Sequence, residues 1–350
     1  MASRISVFFN GMPEFENLFG IAERLKARGN LEPVCFVPVE VLWREPRLRQ
    51  LISKSRLSFT IRPNRFFKAF PSSYLKRADC NLTLSDPLID QGAHIKRSQA
   101  ILDNGHPTIL VQHGVIQRHI AVRIDRDDVD YHSCRILTFE EPLATNVLSR
   151  ETLDKVRVVG FIKPQLLPPK PPGLPLPAHE RAILFCHSFR WEGRYSERDV
   201  ERFFTLVKAY ATRHPDDLLI VRSHRGKIRS NYKRETLDLS GYPNIVISHA
   251  YEGPLKGLGM TDVLAISDVC ISSASTAILD SVYMDCPTAT YENDQKVFQA
   301  LPDITDLETL EQFLQDPSVS ASERVKAHYG DVAKNMDRAC TEIELCMDRL

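Results

Sequence analysis

The 350-residue chain has no apolar run of the roughly 20 residues that a bilayer-spanning helix needs. Met1 to Val7 is not a charged segment followed by a long apolar stretch, so no secretion signal is read there. There is no charge of one sign in excess. Lys and Arg total 45, Asp and Glu total 45, and the formal net charge is zero. That argues against a general nucleic-acid binder, which carries a basic excess, while leaving room for a local basic patch. None of the eight cysteines (35, 80, 134, 186, 270, 286, 340 and 346) forms C-x-x-C, which excludes a zinc ribbon and a dithiol redox pair. Cys186 and Cys270 sit in apolar runs and are expected as buried free thiols of a reducing cytoplasm. H-E-x-x-H, G-x-x-x-x-G-K-[ST] and G-x-S-x-G are all missing, and no internal repeat of fixed period is present. No cofactor is indicated.

What is present is alternation of short β-branched runs with amphipathic helices. Ile5–Phe9 reads as a buried strand, Glu16–Arg28 as a helix with Leu18, Ile21, Ala22 and Leu25 on one face, Gly29 as its C′ residue, and Pro33–Val37 as a second strand. Strand–helix–strand at this spacing is the opening of a parallel α/β sheet. Further short strands end at Ser85-Asp86-Pro87, at His113-Gly114, at Glu140-Glu141 and at Gly160. Seven prolines between Pro164 and Pro177 make a semi-rigid extended linker, after which the alternation restarts. Strands are predicted at 182–186, 217–222, 244–247, 269–272 and 288–291, and helices at 197–213, 260–265 and 276–284. The expected division is residues 1–163, an acceptor-side Rossmann-like domain; 164–180, the linker; 181–320, a nucleotide-donor domain; and 321–350, a C-terminal helical segment.

Four motifs carry chemistry. In Asp268-Val269-Cys270-Ile271-Ser272-Ser273-Ala274-Ser275-Thr276 a strand runs through a small-residue turn into a helix, where hydroxyls and free N–H groups suit a phosphate; an ordinary N-cap reads the same way. Arg222-Ser223-His224-Arg225-Gly226-Lys227 gathers three cations and an imidazole at a strand end, matching phosphate geometry, although a solvated basic loop has the same composition. His113, followed by Gly114, is the best candidate general base, because an imidazole titrating near neutrality can take a proton from an acceptor hydroxyl. Asp86 and Glu140 end neighbouring strands, and either could orient His113 or bind acceptor hydroxyls, or cap a helix instead. Ser188 and Arg190 follow the first strand after the linker and are expected to face a central cleft, where Arg190 could meet a phosphate and Ser188 could cap the next helix.

The segments Ile183-Leu184-Phe185-Cys186-His187-Ser188-Phe189-Arg190, Leu219-Ile220-Val221-Arg222-Ser223-His224 and 268–276, followed by Cys286-Pro287 and Tyr291-Glu292-Asn293-Asp294, resemble the C-terminal half of the CDP-glycerol glycerophosphotransferase (teichoic-acid and capsule) family. Capsule Kdo transferases and polysialyltransferases are more distant likenesses. Gln112-His113-Gly114 resembles that family's acceptor-side His-Gly motif. The resemblance implies a GT-B fold: α/β, two Rossmann-like domains with parallel sheets facing a central cleft. It implies metal-independent, inverting transfer from a CDP- or CMP-linked sugar or polyol phosphate to a hydroxyl of a cell-surface glycan or its lipid-linked precursor. His113 would be the base, with Asp86 and Glu140 beside it and Gly114 on the acceptor side. Ser188, Arg190, Arg222, His224, Ser273, Ser275 and Thr276 would bind the donor. The expected partners are that nucleotide-activated donor and a glycan or lipid-linked acceptor, with no nucleic acid. The expected location is the cytoplasm, including peripheral association with the inner face of the membrane.

Three residues depart from the family pattern. Ser273-Ala274 stands where an Asp-Tyr pair is usual, and Arg225 stands where Pro follows the donor histidine. They leave the donor open between CDP-glycerol, a CMP-sugar and a UDP-sugar. Two other readings compete: a UDP-sugar 2-epimerase-like enzyme, which would want acidic residues beside the phosphate turn, and a catalytically silent nucleotide-binding GT-B protein of a glycan assembly complex.

Overall fold

The computed structural model describes residues 2–89, 95–117, 120, 129–142, 147–187, 196–223, 239, 241–248 and 252–350. They fall into two compact units. Unit 1 is Met1–Leu167 with Tyr329–Leu350, and unit 2 is Pro168–His328. Among the described residues no helix is long and apolar enough to cross a membrane.

Unit 1 is built on a seven-stranded sheet of β1 (Ser3–Phe8), β2 (Leu31–Pro38), β3 (Ser58–Arg62), β4 (Cys80–Thr83), β5 (Thr108–Val111), β6 (Arg135–Thr138) and β7 (Val156–Val158). Their order is β3-β2-β1-β4-β5-β6-β7, and every pairing is parallel. Strands β4, β5 and β6 are buried along their whole length, as a parallel sheet covered on both faces requires. The first helix, Met12–Arg28, starts a turn earlier than its apolar period suggests because Pro13 fits a helix N-terminus. It ends as expected at Gly29, which is left-handed at φ 79°. The edge strand β3 escapes sequence reading: Ser58-Phe59-Thr60-Ile61-Arg62 is exposed or half-buried throughout and lacks a buried-strand pattern.

The C-terminal residues from Tyr329 onward belong to unit 1. The helices Ser320–Tyr329 and Val332–Met347 break at Gly330, which is left-handed at φ 79°, and the second lies against Met12–Arg28 in unit 1. Arg28 reaches Glu344 at 2.9 Å, and Asn335 donates to Phe161 O at 2.9 Å and Tyr329 O at 2.6 Å.

Unit 2 carries six strands: β8 (Arg181–His187), β9 (Asp217–Ser223), β10 (Ile245–Ile247), β11 (Val269–Ser272), β12 (Thr288–Tyr291) and β13 (Asp303–Ile304). Their order is β10-β9-β8-β11-β12-β13, again all parallel. The period of two sorts the β8 residues onto two cores. Ile183 and Phe185 pack with Phe203, Val207 and Tyr210 of the helix Glu197–Arg213. Ala182, Leu184 and Cys186 pack with Leu255, Val263 and Ala277 on the other face. Part of the Pro-rich stretch is tied to this unit: Lys170 N–H donates to Asp262 Oδ1 at 2.8 Å and Gly173 N–H to Pro254 O at 3.1 Å.

Candidate functional site

Each sheet reverses its strand order once, between β1 and β4 in unit 1 and between β8 and β11 in unit 2. At such a reversal the helices leave the sheet on opposite faces, and a crevice opens beyond the carboxyl ends of the two strands. In unit 2 the register Arg222↔Cys186↔Ser272↔Thr290 sets four residues in one row across β9, β8, β11 and β12. With neighbouring strands about 4.8 Å apart, Arg222 lies about 10 Å from Ser272 along that row.

After Ser272 the chain turns within three residues. Ser273 N–H closes the turn by donating to Cys186 O at 3.0 Å. Ser275 is the N-cap of the helix Thr276–Val282, its Oγ accepting from Ala277 N–H at 3.3 Å and lying 3.2 Å from Ser272 Oγ. Ser273 is 0 % exposed, so the turn offers solvent only the half-buried Ser275 and Thr276. The helix has seven residues, so its dipole is short and the hydroxyls matter more than the helix end.

Arg222 is 7 % exposed, and its Nη1 donates to Ser248 Oγ at 2.5 Å and to Leu258 O at 3.2 Å. Two of its five donor positions are thereby fixed toward the β10 end of the sheet. His187, one residue beyond the row, is buried between Phe203 (ring centroids 4.8 Å) and Tyr291 (6.1 Å). Burial pushes the Tyr291 hydroxyl well above its ordinary pKa. The neighbouring Glu292 is a left-handed residue at φ 45°, and burial raises its carboxyl pKa against the opposing pull of Arg202 at 3.1 Å. The Cys270 thiol is pushed well up by its hydrogen bond with Cys186 and by burial, so it stays protonated. Cys186 and Cys270 are buried free cysteines, as their apolar context suggested.

In unit 1, the end of β5 is organised by Gln112. Its buried amide donates to Gly114 O at 2.8 Å and accepts from Phe139 N–H at 2.7 Å, bridging the ends of β5 and β6. His113 is thereby held half-buried at the strand end, its backbone N–H donating to Gln117 Oε1 at 3.2 Å. Asp86 is 0 % exposed and receives four hydrogen bonds, from Leu88 N–H, His132 N–H, Ser133 N–H and Ser133 Oγ–H, at 2.6–3.2 Å. This is the work of a carboxylate that fixes the 131–133 backbone, and both oxygens are engaged in it. Glu140 accepts from the Tyr329 hydroxyl at 2.9 Å.

Ser188, Arg190 and His224 lie outside the described residues. Sequence reasoning passed over Gln112, although it stands beside His113, because an amide carries no charge to flag it. It also passed over His187 and the pair Asn10 and Arg97, which meet at 3.3 Å at the end of β1 from 87 positions apart. Among the described residues no group of His, Cys, Asp and Glu is arranged to hold a metal ion.

No protein-family model matches the chain, and no curated protein matches it. Solved structures do. The S. aureus MnaA–UDP co-structure superposes with a TM-score of 0.60 at 12% identity, covering 99% of this chain and 98% of that one. UDP-GlcNAc 2-epimerase from Neisseria meningitidis, bound to UDP-GlcNAc, gives 0.59 at 14% identity over 98% and 100%. The kitacinnamycin glycotransferase gives 0.52 at 12% identity over 99% of each chain. At such identities the likeness shows the fold: two parallel-sheet α/β domains of the GT-B kind.

Proposed function

We propose that this chain is a transferase that moves a sugar or polyol phosphate from a cytidine-nucleotide donor to a hydroxyl of a cell-surface glycan or its lipid-linked precursor. Unit 2 holds the donor phosphates on the hydroxyls of Ser275 and Thr276, with Arg222 supplying positive charge in the same row of the sheet. His113 takes the proton of the acceptor hydroxyl as its oxygen bonds to the donor carbon or phosphorus. The bond to the departing nucleotide phosphate breaks, and that phosphate leaves with the electron pair. The observation that carries the reading is the turn at 272–276. It sits at the strand-order reversal of unit 2, carries two half-buried hydroxyl residues, Ser275 and Thr276, and contains no acidic residue. In this reading Asp86 positions the chain rather than the substrate, because three backbone N–H groups and the Ser133 hydroxyl occupy both its oxygens.

The choice of cytidine rests on the motif resemblance, and the membrane-linked acceptor on the same ground. A second reading, a UDP-sugar 2-epimerase, is favoured by the solved structures with UDP and UDP-GlcNAc named above. Titrating CMP, CDP and UDP against the wild type and Ser275→Ala separates the two. The expected result is tighter binding of a cytidine nucleotide, weakened by about tenfold in the variant through loss of a hydrogen bond to a charged group. Equal affinities in both proteins overturn the cradle. Conversion of UDP-GlcNAc to its 2-epimer without any acceptor establishes the second reading instead. Transfer is expected to survive EDTA. That arm is a real test, since Asp125-Arg126-Asp127 and Asp128-Val129-Asp130 have the spacing of a metal-binding acidic pair, and 125–128 lie outside the described residues.

A further inference from the structure

The strand-order reversal of unit 1 has a pocket of its own. It opens at the end of β1 with a volume of about 250 Å³, the size for a small ligand or the end of a larger one. Three cations line it, Lys68, Lys96 and Arg97, and among the described residues no acidic side chain does. The remaining wall is largely aromatic, from Phe8, Phe67 and Tyr74, which belong to one buried cluster.

Arg97 is the centre of this site. Its guanidinium lies 4.7 Å from the centroid of the Phe8 ring, donates to Asn10 Oδ1 at 3.3 Å, and meets the Tyr74 hydroxyl. Asn10 in turn donates to Glu14 Oε1 at 3.1 Å, so the nearest carboxylate reaches Arg97 only through an amide. Among the described residues Arg97, Lys68 and Lys96 make no ion pair. Burial pulls the Arg97 pKa down, the sign of a cation held without full compensation, and lifts the Tyr74 hydroxyl to about 12. Arg97 is half-buried, and a cation partly withdrawn from water without an ion-pair partner is stabilised by an anion that a ligand brings in. Three cations call for a dianion rather than a single carboxylate. The aromatic wall calls for an apolar or ring-shaped body behind it, and the exposed Ile95 of the lining extends that apolar surface outward.

We propose that the unit 1 pocket binds a phosphate monoester carried on an apolar or ring-shaped body, with Arg97 as the phosphate anchor, Lys68 and Lys96 as flanking charges, and Phe8, Phe67 and Tyr74 as the wall for the body. This site is separate from the proposed nucleotide cradle of unit 2 and stands or falls independently of it. Such a phosphate belongs either to a free small molecule or to a lipid headgroup, and both present the same group to Arg97.

The experiment uses the full chain with two probes: phenyl phosphate by calorimetry, and vesicles of phosphatidylcholine with and without phosphatidate by flotation. Arg97→Gln removes the anchor. Because Arg97 is packed on Phe8, the pair Lys68→Glu with Lys96→Glu, both on exposed residues, tests the same charge without touching the core. Binding of phenyl phosphate that weakens by about tenfold or more in the double variant, at an unchanged melting temperature, is the expected result and assigns a free ligand. Phosphatidate-dependent flotation lost in the double variant, without phenyl phosphate binding, supports the site and assigns a headgroup. Failure of both probes, or binding that the double variant leaves unchanged, overturns it.

Discussion

The two units share a topology and differ in what they set at the same topological position. In unit 2 the reversal between β8 and β11 ends in small hydroxyl residues, Ser272 to Thr276, packed so tightly that Ser272, Ser273 and Ala274 have no exposed surface to speak of. In unit 1 the reversal between β1 and β4 ends in Phe9 and Asn10, beside an arginine set among aromatic rings. Parallel strands of one order place a crevice in one location whatever the side chains. The side chains then decide what enters: neutral hydroxyls at a tight turn suit an anion brought close to the backbone, while cations over aromatic rings suit an anion with a body attached. Fold and ligand are thus separable, which is why a GT-B likeness at 12–14% identity fixes the architecture here and leaves the substrate to the residues.

The sharpest break of this comparison is chemical. If unit 1 supplies the base and unit 2 the nucleotide, His113→Ala should lower turnover by about 10²–10⁴-fold while nucleotide affinity and melting temperature stay near wild type. Full activity in the variant removes the base from unit 1. Lost activity together with a collapsed melting temperature makes His113 a structural residue, since Gln112 and Gln117 already tie its loop.

A next-smaller effect contrasts two left-handed glycines of unit 1. Gly160 has φ 90°, and a Cβ there would lie 2.4 Å from Asn335 Nδ2 and 2.5 Å from Tyr329 O. Gly29 has φ 79° with nothing within 4 Å of its would-be Cβ. Gly160→Ala should cost about 2–4 kcal/mol in urea unfolding, strain and overlap together. Gly29→Ala should cost about 1 kcal/mol, strain alone. Equal losses would mean that the return of residues 329–350 onto unit 1 adds nothing at Gly160.

The smallest expected effect is a pH limb. Burial lowers the His106 pKa below its ordinary value of 6.5, with His132 adding in the same direction against Asp79. Its Nε2 is buried without a hydrogen-bond partner among the described residues. The unfolded chain therefore takes up the proton first as pH falls, so this stability is present above the unfolded pKa and is lost on acidification from about pH 6.5 down through the folded value. His106→Gln should flatten that limb when unfolding is followed between about pH 7 and pH 5. An unchanged slope would assign the acid sensitivity elsewhere.

Much of the fold was readable because buried parallel strands are written as short apolar runs. Val269–Ser272 and Thr288–Tyr291 match their predicted bounds, as does the helix Glu197–Arg213 with its Ser196/Asp199 capping box. The edge strand Ser58–Arg62 was unreadable because half of it faces water. The short helices Asn64–Ala69 and Pro71–Leu75 were unreadable because too few turns exist to show a period. At the candidate site the sequence singled out His113, Ser275 and Thr276, each beside a strand end. It also singled out Asp86, whose role no local pattern discloses: the four donors that claim it include three from residues 132 and 133, 46 and 47 positions away.

By itself the sequence determined the α/β alternation, the placing of Gly29 after the first helix and the burial of Cys186 and Cys270, because these follow from local period, backbone preference and apolar context. Only the tertiary structure decided which charges are spent and which are open. It commits Asp86 to backbone N–H groups, turns Arg222 toward Ser248, and closes Ser273 to solvent. It also brings Asn10, Tyr74 and Arg97 into one pocket. The physical reason is that a side chain's charge acts over a few ångströms, and residues that far apart in the fold stand tens of positions apart in the chain.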